Sequence, residues 1–521
     1  MHTQPIHMNF WRTLFALFIA ASLTACGGGG GSDPPPAPTT PVITAQPLAL
    51  STSYGKSATF SVSATSASTQ SYQWQRDGNP IDGALEASYT LPIAVPGDSG
   101  ASFSVVVTNS QGSTQSAAAR LTVIDIPVAG PVRWAAGSSH TTFVRGDGTV
   151  LSWGNIQADI GTSLSGLMGV GLDAVVPGTP TSAKLSSGAP FTGAQAIAAG
   201  QWSTLVLKTD GTVWGWGYAG WGNLGTGAFA FEQRSPVQVK KTDGSALTGV
   251  VQMSAGIYST SMAVASDGAV WGWGQNRYGQ LGLGSSSETG QYAAAPMLSP
   301  SGLGRFTDAV QVAAGISHAL ALKRDGSVYA VGWGDFGALG DGSTSIRTSL
   351  PVRVDLAPGV PLANVVGIAA GGNFSVVVLG DGTAYAWGTN SFGQLGNGAR
   401  TQQNRPVRVR DASGRPMSGI VNVAAGNDFT MFLKADSTVW AVGNNSVGQL
   451  GTNSSAAFSA VPEVVKDTSG NVFGSVVGVY LTAGHTMVRR ADGSLWVWGF
   501  NTFLQVGDLT SVTRRFPVRV Q

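Results

Sequence analysis

Five histidines, one cysteine and a regular series of aspartates are the residues of this chain best equipped for chemistry. His2 and His7 lie at the start, while His140, His318 and His485 lie in the body of the sequence. His140 and His318 stand three residues after a recurring Ala-Gly pair. In other copies of that segment the place is held by Ser203, Ser259, Phe374 or Phe429. A position that accepts Ser or Phe is suited to packing and hydrogen bonding, not to general-base work. Asp147, Asp210, Asp267, Asp325, Asp381 and Asp492 each precede a glycine. That pairing marks a tight turn, in which the carboxylate bonds its own backbone. Paired carboxylates in a cleft, zinc-ligand spacing, a phosphate loop and a nucleophile elbow are all missing from the sequence. The expectation is a protein that is not an enzyme and needs no metal or cofactor.

Cys26 has no second cysteine to pair with. It follows Phe15-Ala16-Leu17-Phe18-Ile19-Ala20-Ala21-Ser22-Leu23, an apolar run preceded by Arg12 and too short to span a bilayer comfortably. The end of this segment, Leu23-Thr24-Ala25-Cys26, resembles the bacterial lipoprotein box, in which the cysteine is lipidated and becomes the new N-terminus. The resemblance implies a signal peptide over 1–25, lipidation at Cys26 and attachment to a membrane through several acyl chains. Gly27 stands where an aspartate would signal inner-membrane retention, so outer-membrane sorting is expected. Residues 26–41, rich in Gly and then Pro, read as a tether.

Charged residues make up 11% of the chain, against about 25% on average, and the net charge is +2. No strong field favours nucleic acid, so none is expected as a partner. From 42 to 124 the pattern is one of short alternating strands. Ala58, Phe60 and Val62 fall on one face, and Arg76-Asp77-Gly78-Asn79 signals a hairpin after Trp74. The region resembles an immunoglobulin-like β-sandwich, with Trp74 as the buried tryptophan. Val62 and Val105 replace the family's cysteines and Phe103 its corner tyrosine, so packing alone must hold it.

After a linker at 125–131, one motif returns seven times to the C-terminus. The marker glycines are Gly137, Gly200, Gly256, Gly315, Gly371, Gly426 and Gly484, spaced 55 to 63 residues apart. Strand-like segments repeated at such a period read as a propeller with one blade per unit. Trp214, Trp216, Trp271, Trp273, Trp387, Trp440, Trp496 and Trp498 would fill the gaps between blades. Segments such as Tyr385-Ala386-Trp387-Gly388-Thr389-Asn390 with Gly393-Gln394-Leu395-Gly396 resemble the regulator of chromosome condensation repeat. Residues 132–521 carry that resemblance. It implies an all-β chain: a seven-bladed β-propeller behind an N-terminal immunoglobulin-like β-sandwich. The segment order further suggests a clasp in which Phe516-Pro517-Val518-Arg519-Val520 completes the N-terminal blade. Repeat one departs through a long insertion at 155–180, and repeat seven is two residues shorter between Gly484 and Gly493.

A repeat array without a reaction centre is a scaffold for recognition. Trp202, Tyr258, Phe374 and Phe429 follow the marker glycines and are expected to ring one face of the disc as a surface for an unidentified protein partner. The expected function is therefore recognition or adhesion by a lipid-anchored envelope protein. The alternatives are guanine-nucleotide exchange, as in the family's nuclear founder, and glycan binding or hydrolysis.

Overall fold

The computed structural model describes residues 39–53, 57–91, 94, 98, 100–124, 133–138, 140–154, 169–170, 180–343 and 347–520. Cys26 with its preceding apolar run, the 125–131 linker and most of the 155–180 insertion lie outside the described residues. No α-helix occurs among the described residues.

The N-terminal strands form a mixed sheet with two short two-stranded companions. The central pair is Ser71–Arg76 against Ser102–Asn109, with Trp74 opposite Val105. Phe60, Trp74, Phe103 and Val105 are buried together, and the Phe60 and Phe103 rings stack at 4.5 Å. The Trp74 Nε1 donates to the Glu86 carbonyl at 3.0 Å, so the buried indole keeps its hydrogen bond.

Beyond residue 132 the described chain forms seven four-stranded antiparallel sheets, each from consecutive strands. They occupy 134–182, 194–238, 250–296, 309–353, 365–408, 420–464 and 476–519 and are numbered here 1 to 7, with strands a to d in chain order. In sheet 5 these are Val365–Ala370, Phe374–Leu379, Ala384–Gly388 and Gln403–Arg408. Strands a line a central channel of about 250 Å³, and every sheet contributes to its wall. Small alanines let seven strands converge there, and no charged side chain lines it. Gln252 and Gln311 each bond the NH and the carbonyl of neighbouring strand a residues, Val312 and Ile368 respectively, forming rungs between sheets.

Each hydrophobic cluster joins two neighbouring sheets. Leu320, Leu322 and Val328 of sheet 4 pack with Ile368, Val377 and Trp387 of sheet 5. Trp216, Trp273, Trp387 and Trp498 are fully buried at such junctions. Trp273, Trp387 and Trp498 each donate Nε1 to a loop carbonyl of the preceding sheet, at 3.0, 2.8 and 2.9 Å. Trp214, Trp271, Trp440 and Trp496 are only half-buried.

Two expectations from the sequence are corrected. The final strand, Arg514–Arg519, pairs with Leu495–Gly499 of its own sheet 7, and sheet 1 closes with its own short strand Thr181–Ser182. No clasp is formed. Sheets 7 and 1 meet instead through an apolar cluster containing Ala136, Trp153, Met487 and Val506, together with two hydrogen bonds. Thr141 Oγ1 donates to the Gln505 carbonyl at 2.8 Å, and Gln505 Nε2 donates to the Ser138 carbonyl at 3.2 Å. The second correction concerns repeat seven. In sheets 1, 2 and 4 to 6 the marker glycine NH bonds the carbonyl of the residue three further on; in sheet 7 Thr482 makes that bond to His485. Thr482 is thus the structural counterpart of the marker, and Gly484 lies two residues beyond it. The apparent shortening of repeat seven follows from this offset.

Candidate recognition face

In an antiparallel sheet of order a-b-c-d, the a–b and c–d connections leave from one end and the b–c turns from the other. The b–c end is built from the Asp-Gly turns. Asp147, Asp210, Asp325, Asp381 and Asp492 each accept two bonds from the Thr or Ser two residues on, one from its NH and one from its hydroxyl. Those bonds hold the Asp147, Asp210 and Asp492 carboxyls below the usual range. These groups serve turns, as their spacing in the sequence implied.

The a–b and c–d end is where the repeat's polar motif acts. Asn390 is buried and accepts the Leu395 NH on Oδ1 at 3.1 Å. Its Nδ2 donates to the carbonyls of Ala399 and Thr401. Gln394 Oε1 accepts the Phe392 NH at 3.0 Å. Asn445 with Gln449 and Asn501 with Gln505 repeat the arrangement. Asn276 with Gln280 does so in sheet 3, and the c–d loops of sheets 3 and 5 to 7 are therefore fixed by side chains pointing inward, with their outward positions left free to vary. Consecutive a–b loops are also linked, by Ser138 NH to Gln201, Gln201 NH to Ile257, and Ile316 NH to Gly372.

Of the four aromatics expected on this face, Tyr258 is 44% exposed and Trp202 is half-buried beside Tyr218, at 5.7 Å. Phe374 and Phe429 are corrected: both are completely buried. The reason is one of phase. Trp202 and Tyr258 lie two residues after their glycines, in the loop, whereas Phe374 and Phe429 lie three after and open strand b. A one-residue step along the chain turns a side chain from one side to the other. The same inward position is filled by His140, His318 and His485, all buried, with Ser203 in sheet 2 and Thr260 in sheet 3. Thr260, not Ser259, holds it because Ser259 adds a residue to that loop with φ of 48°.

Burial without a charged partner lowers the histidines, His140 and His318 to about 4 and His485 to about 3. His140 Nε2 bonds Thr204 Oγ1 across the junction at 3.1 Å, and His318 Nε2 bonds Ser375 Oγ at 2.9 Å. The Ser375 hydroxyl donates onward to the Ala338 carbonyl, so His318 is the donor to it. These are neutral structural imidazoles.

The structure adds aromatics that the sequence reading missed. Tyr218 meets Phe231 edge-on at 5.6 Å, and Phe229 meets Tyr292 at 6.1 Å. Tyr278 stacks on Trp333 at 4.7 Å, with Phe336 edge-on to Trp333. Phe229 and Phe231 are 67% and 52% exposed. With Trp202 and Tyr258, these residues all belong to sheets 2 to 4. At the places of Trp202 and Tyr218, sheets 5 and 6 carry Asn373, Thr389, Asp428 and Asn444, while Phe392 of sheet 5 keeps the place of Tyr278 and sheet 7 holds the pair Phe500 and Phe503. The face thus has an aromatic sector and a polar one. Within the polar sector, burial raises the Asp428 carboxyl, opposed by a hydrogen bond from Asn427. A signal for the missed residues did exist, since Tyr218 and Trp333 directly follow the glycine near the end of strand c.

Relatives of the chain share this architecture. It is 31% identical over 325 residues to the ultraviolet-B receptor UVR8 of Arabidopsis thaliana, covering 62% of this chain and 69% of that protein. It is 28% identical over 327 residues to the human E3 ubiquitin-protein ligase HERC2, of which it spans only 6%. Among solved structures, human WBSCR16 superposes with a TM-score of 0.59 at 26% identity, covering 72% of this chain and 94% of that one. Prp20p of Saccharomyces cerevisiae, described with its binding to Gsp1p and histones, gives 0.57 at 23% identity, covering 73% and 87%, and likens the fold alone. A regulator of chromosome condensation (RCC1) repeat matches residues 420–449. With the RCC1-like domain matching residues 96–415, the chain belongs to the RCC1-like domain family.

Proposed function

We propose that this chain is a lipid-anchored envelope protein whose seven-bladed propeller binds a protein partner through the a–b and c–d face, chiefly over blades 2 to 4. The observation that carries the reading is the aromatic sector: exposed Phe229, Phe231 and Tyr258 beside half-buried Trp202, Tyr218 and Trp333. Tyr and Trp on a fixed scaffold give large contact area at small entropic cost, and such residues dominate binding hot spots. The N-terminal strands serve in this reading as an immunoglobulin-like spacer, and Cys26 as the acylated anchor facing the envelope. Family relatives with regulatory names support an interaction role, without specifying which partner this chain takes.

The test uses the full chain, tagged at its C-terminus, to capture partners from an envelope fraction by crosslinking. The triple variant Phe229→Ala, Phe231→Ala, Tyr258→Ala should lose a captured partner while keeping its melting curve. A single central hot spot is worth about 2 kcal/mol, roughly thirtyfold in affinity. A variant that captures the same partner undiminished would remove the face from the reading. The anchor is tested separately: Cys26→Ser should leave a precursor that no longer fractionates with membranes.

A further inference from the structure

We propose that the junction between blades 7 and 1 is an acid-released latch, in which protonation of His485 and His140 parts this junction while the other six stay closed. Three independent features single it out. Neighbouring blades elsewhere are connected by the chain running from strand d of one to strand a of the next, whereas blades 7 and 1 hold the two ends of the array. With no clasp strand, this junction is held among the described residues by side-chain contacts and two hydrogen bonds, without the strand d to strand a connection of the others.

The second feature is its unsatisfied polar atoms. Trp153 Nε1 is buried without a partner, whereas Trp273, Trp387 and Trp498 donate theirs to a loop of the preceding blade. His485 differs from its counterparts in which ring nitrogen lacks a partner, Nε2 at the junction instead of Nδ1. His140 and His318 direct Nε2 to a hydroxyl of the next blade. The residue of blade 1 at that place, Thr141, donates its hydroxyl to the Gln505 carbonyl just as Ser375 does to Ala338, yet His485 Nε2 makes no bond to it. His485 bonds Thr482 of its own blade through Nδ1 at 2.9 Å, and its Nε2 has no partner. Thr482 can offer that hydroxyl only because it replaces the marker glycine.

The third feature is the charge environment. The two imidazoles are near enough for His140 to disfavour a charge on His485. From strands a and b of blade 7 the other titratable group in this cluster is the Tyr480 phenol, raised by burial and opposed by Arg489. From blade 1 the elements at the junction contribute Trp134, Phe143, Trp153, Ser138 and Thr141, all uncharged at any working pH. Blade 2 contributes Thr204. No carboxylate acts on either histidine. A proton arriving here has no counter-ion inside, and opening to water is the available relief. His318 supplies an internal control: it is equally buried and lacks a partner at Nδ1, but its Nε2 bonds the next blade and its junction is chain-linked.

The experiment is hydrogen–deuterium exchange of the full chain at pH 8 and pH 5, corrected for intrinsic rates. With ordinary histidine behaviour in the open state, the open population should rise about thirtyfold per histidine between these pH values, and about a thousandfold for the pair. Residues 134–144 and 485–499 should lose protection while 318–333 retain it, because His318 is depressed as far but the chain joins its two blades and holds them together. His140→Phe should reduce the response by its thirtyfold share. That variant recreates a pairing the chain already has, Gly371 with Phe374, with Thr204 at the place of Thr430. For blade 7 the equivalent is His485→Phe with Thr482→Gly. Loss of protection spread evenly over all seven blades, or an unchanged acid response in both variants, would overturn the latch.

Discussion

Phe374 and the three buried histidines occupy one equivalent position, so replacing Phe374 by His should move a pH dependence from one blade to another. Phe374 is completely buried between blades 5 and 6. Truncation to Ala should remove about 3–5 kcal/mol of stability. Phe374→His should cost less at pH 8, because Thr430 stands where Thr204 bonds His140 and its hydroxyl, already donated to the Gln394 carbonyl, can accept from Nε2. The new imidazole should titrate as its counterparts do, with a folded value near 4 against an ordinary 6.5. Since the folded value is depressed, the unfolded chain binds the proton first. Stability is then complete above pH 6.5 and falls as the pH drops toward 4, by about 1.4 kcal/mol per pH unit and about 3 kcal/mol in all. Urea unfolding followed by tryptophan fluorescence at pH 8, 6.5 and 5 measures this. The useful quantity is the variant minus the wild type at each pH, in which His140, His318 and His485 cancel. A difference that stays constant from pH 8 to 5, or a Phe374→Ala variant losing under about 1 kcal/mol, would refute the equivalence of these positions.

Three other outcomes follow from the same packing. Asn390→Ala removes four loop bonds at once and should cost about 2–4 kcal/mol, with proteolytic nicking of residues 390–403 as the direct readout. Gly371→Ala would place a methyl 2.6 Å from the Gly426 carbonyl oxygen and into the Phe374 ring. A loss of at least about 2 kcal/mol is expected on denaturant titration. Tyr258→Ala should change stability by less than about 0.5 kcal/mol, and a large loss on melting would mean that the side chain packs inside.

The strands were legible because small residues, Asp-Gly turns and tryptophans mark their ends at a constant period. The same regularity concealed the exceptions. Repeat seven offers an Ala-Gly pair two residues late, and only the backbone bond from Thr482 to His485 reveals the true register. The partner of the last strand was not legible, since a periodic pattern has no phase information about which sheet that strand joins. Phe374 and Tyr258 look alike in composition and differ by one residue in distance from their glycines. That distance was readable, but it acquires meaning only once strand b is known to begin three residues on. Tyr218 and Trp333 were overlooked because the aromatics beside them, Trp216 and Tyr329, follow the core periodicity, whereas their own places come after the strand's closing glycine.

The inward-pointing Asn and Gln that fix the c–d loops of blades 3 and 5 to 7 separate the tasks of folding and recognition. A blade keeps its shape through Asn390 and Gln394 or their counterparts, whatever stands at Thr389. The corresponding places in the other blades that keep this pair already carry Gln275, Asn444 and Phe500. The upper rim is therefore modular, like a keyboard whose keys can be exchanged singly without disturbing the frame. Selection, natural or in a library, can rewrite binding preference there one blade at a time, at sites whose contribution to stability is small.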